Sequence, residues 1–176
     1  TEKYRPTSPS ELRGHNKARD ALKKWAETWD DHGDAAILHG SPGVGKTSAA
    51  HALANDMDWP TIELNASDQR TSSVVEKVAG EAAKSGTLTG GGDGRRLVVM
   101  DEADNLHGNV DRGGSKAITE VVKEAGQPMV LIANEFYDMS NTLRNACEEI
   151  EFRDVQARSI VPALRHICKQ EGIEYE

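Results

Sequence analysis

The chain has 176 residues, 29 of them acidic and 21 basic, for a formal net charge of −8. That length suits one domain with a proper core, and the acidic balance excludes a uniformly basic nucleic-acid surface while leaving room for a local basic patch. The only cysteines, Cys147 and Cys168, have no paired spacing, which excludes a zinc or disulfide framework, and no apolar stretch approaches membrane-span length. With no signal peptide visible, the expectation is a cytoplasmic protein with no membrane partner, kept soluble by its charge in a salty cytoplasm.

The first helical pattern covers Asn16–Trp29, with Ala18, Ala21, Leu22, Trp25, Ala26 and Trp29 on one side. Ala35–His39 is a short apolar run of the kind a buried strand makes. Gly40-Ser41-Pro42-Gly43-Val44-Gly45-Lys46-Thr47 follows and fits the phosphate-loop pattern G-x-x-x-x-G-K-[ST] without a mismatch. Thr47–Met57 reads as a helix with Ala49, Ala50, Leu53, Ala54 and Met57 on one face. Next come a strand at Thr61–Leu64, a helix at Thr71–Lys84 and a glycine-dense stretch, Ser85–Gly94, expected to be a flexible connector. A strand at Leu97–Met100, a helix at Ser115–Glu124 and strands at Met129–Ala133 and Glu149–Phe152 complete the alternation.

Such an order implies an α/β fold, a five-stranded parallel sheet with helices on both faces. Ligands of these sheets bind at the carboxyl ends of the strands, where the glycine loop falls. Arg158–Gln170 reads as a further helix, with Ile160, Ala163, Leu164, Ile167 and Cys168 apolar. Residues 1–153 are therefore expected to form the nucleotide-binding domain, and 154–176 the start of a small helical lid. The chain opens at Thr1 and stops just after a helical pattern, so the expectation is a fragment of a longer polypeptide.

Strand, glycine turn and helix start together aim several backbone N–H groups and the positive end of a helix dipole at one point. Gly43 and Gly45 let the main chain close around a phosphate, Lys46 can reach the terminal phosphates, and Thr47 can offer its hydroxyl to Mg²⁺. A glycine-rich turn with a chance lysine is the plain alternative, and the flanking strand and helix speak against it. Leu97-Val98-Val99-Met100-Asp101-Glu102 supplies the second half: an apolar strand ending in two carboxylates that point opposite ways. Asp101 is assigned to the metal and Glu102 to the attacking water; without the glycine loop the pair would read as a helix cap. Asn134 closes the strand Met129–Ala133, where its amide could sense the γ-phosphate or the water between it and Glu102, although Asn is also a common turn residue. Lys46, Glu102 and Asn134 are the candidate catalytic residues. Asp101-Glu102-Ala103-Asp104 also spells the box of a helicase family, but those proteins need a second recombinase-like domain and have different phosphate loops.

On these residues the chain resembles the AAA+ P-loop ATPases, and within them the clamp loader replication factor C. Glu2-Lys3-Tyr4-Arg5-Pro6, Gly14-His15 and Glu63-Leu64-Asn65-Ala66-Ser67-Asp68-Gln69-Arg70 are similar to segments of that group. Asp101 to Gly114 looks like its large subunit, archaeal type, and the likeness covers nearly the whole chain.

The resemblance implies a DNA-replication protein that binds and hydrolyses ATP with Mg²⁺, weakly in isolation. It implies clamp-loader small subunits, a sliding clamp and primer–template DNA as partners. Small subunits of that family carry Ser-Arg-Cys, whose arginine enters a neighbour's ATP site; here the stretch reads Asn145-Ala146-Cys147, so the chain is expected to receive such a finger and not to donate one. Arg144 is near, but its offset does not suit that role. Tyr4, Arg5 and Pro6 either flank the adenine or form a solvated arm. Arg70 and Thr71, with Ser67 and Ser72, open a helix and either touch DNA phosphates or sit beside an ordinary cap. Ile118, Val121 and Val122 either face the clamp or are buried against the sheet. The alternative function is another AAA+ DNA motor, for branch migration or origin initiation. A nucleotide kinase would need an arginine-rich lid, and a scaffold using ATP only as glue would not need Asp101, Glu102 and Asn134 intact.

Overall fold

The computed structural model of this chain describes residues 15–66, 95–107, 119–120, 122–123, 126–154 and 157–173. The elements in order are α1 (Asn16–Glu27), α2 (Trp29–His32), β1 (Ala35–His39), α3 (Lys46–Asp56), β2 (Thr61–Asn65), β3 (Leu97–Asp101), a 3-10 turn (Ala103–His107), β4 (Met129–Ala133), a second 3-10 turn (Phe136–Asp138), α4 (Asn141–Arg144), β5 (Cys147–Glu151) and α5 (Ala157–Glu171). The expected helix at Thr71–Lys84 and the glycine-dense connector lie outside the described residues, as do Tyr4, Arg5, Pro6, Arg70 and Thr71.

The five strands form one parallel sheet in the order β2-β3-β4-β1-β5. Strands β1, β3 and β4 are almost wholly buried, which is why they read as unbroken apolar runs; the edge strands β2 and β5 alternate or are largely exposed. Side chains of the inner strands alternate between two cores with period two. Ala36, Leu38, Val99, Val130 and Ile132 face the core that α1 and α3 cover with Leu22, Trp25, Ala50 and Leu53. Ala35, Ile37, Val98, Met100, Met129 and Leu131 face the opposite core, closed by Ala103, Phe136, Met139 and Leu143. Val122 belongs to this second core, so at that residue burial, and not a clamp-facing patch, is what the fold has.

The single first helix expected over Asn16–Trp29 is broken at Thr28. The Thr28 hydroxyl donates to the Lys24 carbonyl at 2.9 Å, a back-bond that competes with helix continuation. A short turn then ends on Gly33 at φ 68°. The Trp25 indole N–H donates to the Asp34 carbonyl at 2.8 Å and ties that turn to the start of β1. The expected strand Glu149–Phe152 runs instead over Cys147–Glu151. Phe152 leaves the ladder, yet its N–H donates to the His39 carbonyl at 2.7 Å.

Two contacts join the start of the chain, the glycine loop and the exit of β5. Gly40 has φ 141°, and a Cβ built there would stand 2.0 Å from the Phe152 carbonyl oxygen, so only glycine fits. His15, at the head of α1, is buried with its ring centroid 5.1 Å from that of Phe152. Burial holds the His15 imidazole below the ordinary 6.5, only partly offset by its hydrogen bond to the Val44 main chain.

Gly40→Ala is expected to destabilise the fold by about 1–3 kcal/mol, read from urea unfolding midpoints, since backbone would have to move to admit the methyl group. The His15 shift gives a second expectation. The unfolded chain takes up a proton near 6.5 while the folded chain resists it, so stability is full above 6.5 and declines as the pH falls below it. His15→Gln should flatten that decline in unfolding curves taken across the window.

Candidate nucleotide site

The carboxyl ends of β1, β3 and β4 bring together side chains that are far apart in sequence. Gly43 and Gly45 adopt left-handed φ of 78° and 100°, and the space beside each is open. Gly45 is the N-cap of α3, so the loop turns directly into the helix and leaves its first N–H groups facing outward.

Lys46 is buried at 5% exposure, and its ammonium group is held by three oxygens. Its Nζ donates to the Gly40 carbonyl at 2.6 Å, the Ser41 carbonyl at 2.9 Å and the Asn134 Oδ1 at 2.9 Å. Burial lowers the Lys46 pKa from its usual 10.5, with the carboxylates of Asp101 and Asp104 pulling it part of the way back. A desolvated cation next to an open cradle of N–H groups suits an anion carrying several negative charges.

Thr47 Oγ1 donates to Asp101 Oδ2 at 3.3 Å, so the hydroxyl from the first turn of α3 stands beside the carboxylate that ends β3. A hydroxyl and one carboxylate match a hard ion such as Mg²⁺, which completes its shell with phosphate oxygens and water. The other Asp101 oxygen accepts from the Glu102 N–H at 2.8 Å. Glu102 itself has φ 55°, an unusual conformation for a carboxylate-bearing residue, and its Oε2 accepts from the Asn105 amide at 3.2 Å. β3 ends at Asp101, so the turn after it, and not the alternation of an extended strand, sets the direction of Glu102.

The sequence-predicted residues Lys46, Thr47, Asp101 and Asn134 therefore meet in one place, and Glu102 adjoins them. Asn134 is exposed at the mouth of the site, with its amide oxygen committed to Lys46. Sequence reasoning missed Asp104 and Asn105. Asp104 Oδ2 accepts the N–H groups of Asn134 and Glu135 at 3.0 and 2.9 Å. Only its position two residues past Glu102 hinted at a local duty, and nothing in the sequence pairs it with residue 134.

A cleft of about 490 Å³ opens between the head of α1 and β5, lined by His15, Asn16, Ala18, Ile150, Glu151 and Arg153. Ala146 lies in the turn before β5. Its neighbour Cys147 has a thiol pushed up to about 12, by burial and by the Asp34 carboxylate, which leaves it inert as a nucleophile. Arg144 packs its guanidinium over the rings of Phe136 and Tyr137 at 5.1 and 5.4 Å and bonds Asn141, so it is engaged locally.

Solved structures of the Thermotoga maritima RuvB Holliday junction branch migration motor superpose with a TM-score of 0.75 over 98% of this chain and 56% of theirs, at 18% identity, which shows a common fold. The chain is 77% identical over all its residues to the replication factor C large subunit of Haloarcula marismortui, covering 35% of that protein. It is 69% identical to the one from Halobacterium salinarum, covering 37%, and 53% identical to the one from Methanosarcina mazei, covering 28%. The chain thus spans about a third of the length of the curated relatives it matches. Residues 36–155, which hold β2 to β5, all of β1 but its first residue and the whole phosphate loop, match the family described as ATPase family associated with various cellular activities, and the chain belongs to that AAA family.

Proposed function

We propose that this chain is the ATP-hydrolysing part of a clamp-loader large subunit, which uses ATP to place a sliding clamp on primer–template DNA. The observation that carries the ATPase reading is the meeting of side chains at the ends of three neighbouring strands, Lys46 Nζ with Asn134 Oδ1 at 2.9 Å and Thr47 Oγ1 with Asp101 Oδ2 at 3.3 Å. What supports the clamp-loader reading is the 77% identity to a replication factor C large subunit along the entire chain. The RuvB structures, at 18% identity, support only the fold and give the branch-migration alternative no comparable footing.

In this reading Gly40 to Thr47 wrap the phosphates with main-chain N–H groups. Lys46 exchanges its three protein acceptors for phosphate oxygens, and its partial desolvation strengthens that attraction. Thr47 and Asp101 would hold Mg²⁺, which neutralises charge on the phosphates when bound. Glu102 orients and polarises the attacking water. Asn134, released from Lys46, senses the γ-phosphate and helps fix that water. Positioning and charge stabilisation carry the rate. Tyr4, Arg5 and Pro6 are proposed to flank the adenine, Arg70 and Thr71 to touch DNA, and residues 154–176 to begin a lid following the domain at 1–153. Ala146 stands where a small subunit has its arginine, so this chain donates no such charge to a neighbour and is proposed to receive one. No helix among the described residues is long and apolar enough to cross a membrane.

The test is ATP turnover by the chain alone and then with small subunits, clamp and primed DNA. The isolated chain should bind ATP and hydrolyse it slowly; the complete set should raise the rate by about 10³–10⁵, the worth of a donated arginine. Full activity in isolation would refute the shared-site reading. Lys46→Ala should abolish nucleotide binding measured with a fluorescent ATP analogue. Glu102→Gln should keep binding and lose turnover by about 10²–10⁴-fold, and normal hydrolysis by that variant removes Glu102 from its role.

A further inference from the structure

Asp104 has no part in the reading above, yet it joins the two halves of the site. It lies in the 3-10 turn Ala103–His107, two residues beyond Glu102. One of its oxygens, Oδ2, takes both the Asn134 N–H at 3.0 Å and the Glu135 N–H at 2.9 Å. The other, Oδ1, is buried and has no hydrogen-bond partner among the described residues. Leaving a carboxylate oxygen buried and unmatched is costly, and a neutral side chain could cap the same turn more cheaply. Two consecutive main-chain N–H groups gripped by one charged oxygen fix the peptide planes on either side of Asn134. The side chain of that residue reaches Lys46 at 2.9 Å. At its other end the turn is closed by the Asn105 N–H donating to the Glu102 carbonyl at 2.9 Å, so the same short segment carries Glu102.

We infer that Asp104 is a positioning residue for ATP hydrolysis: by anchoring the main chain of Asn134 and Glu135 to the turn that bears Glu102, it holds the amide of Asn134 at its working distance from Lys46 and from the water beside Glu102. The inference rests on the proposed ATPase reading and on the role given there to Asn134. Its action is on orientation, so it changes the rate of the chemical step more than nucleotide affinity.

A double-mutant cycle in the full-length protein, assembled with its partner subunits, separates this from a merely structural role. Single-turnover hydrolysis and nucleotide affinity are measured for Asp104→Ala, Asn134→Ala and the double variant. Asp104→Ala should lower the single-turnover rate by about ten- to a hundredfold with little change in affinity, the scale expected when a reacting group is displaced by about an ångström. Asp104→Asn, which keeps an acceptor oxygen facing the two amides, should recover most of that loss. In the Asn134→Ala background Asp104→Ala should cost almost nothing more, because the group it positions is gone. Full additivity of the two losses overturns the inference while leaving the ATPase reading in place. A wild-type rate in Asn134→Ala alone overturns the reading of Asn134, and the inference with it. Hydrogen exchange in the nucleotide-free protein gives a readout independent of turnover: the amides of residues 134 and 135 should lose protection in Asp104→Ala, and unchanged protection overturns the anchor. If the alanine variant does not fold, Asp104→Glu, which keeps the charge and moves the carboxylate, enters the same cycle and the same exchange measurement with the same expected directions.

Discussion

The buried ammonium of Lys46 is the constraint around which this domain is organised. A lysine at 5% exposure must find oxygen acceptors or lose its proton, and the three it finds come from two separate strand ends. Two are carbonyls of the loop leaving β1, and the third is the side chain that ends β4. The charge therefore does for the strand ends what an ion would do, drawing oxygen dipoles to one point before any ligand arrives. The same acceptors are neutral, and so weaker partners for an ammonium than the charged oxygens of a polyphosphate.

The sheet makes that convergence possible. Because β1 lies between β4 and β5, the glycine loop that follows it emerges next to the end of β4 on one side and the exit of β5 on the other. Both faces of the three inner strands are covered, by α1 and α3 on one side and by the turns around Ala103, Phe136 and Leu143 on the other. Double coverage leaves the strands little freedom to slide, and fixed strand ends are what hold side chains from residues 46, 101 and 134 in register.

Much of this was legible in the sequence. The apolar runs at 35–39, 97–100 and 129–133 announce fully buried strands, and the glycine pattern with its lysine is specific enough to place the phosphate loop. What was not legible has physical causes. The break at Thr28, where hydroxyl and main-chain N–H both donate to the Lys24 carbonyl, is not something periodicity reveals. The edge strand β5 reads poorly because Cys147-Glu148-Glu149-Ile150-Glu151 has a single fully buried position to signal it. The unusual φ of Glu102 and the partnership of Asp104 with residues 134 and 135 arise only when distant segments meet. Sequence supplied the chemistry-bearing residues of the candidate site, and tertiary packing supplied their orientation.

The contact at Gly40 reaches further than the loop that contains it. The main chain of Phe152 is bonded to His39 on one side and packed without clearance against Gly40 on the other. The polypeptide leaving the sheet toward α5 is thus riveted to the first residue of the phosphate cradle. The rim of the cradle and the exit of the sheet therefore share one backbone contact, so neither Gly40 nor Phe152 can be displaced without disturbing the other.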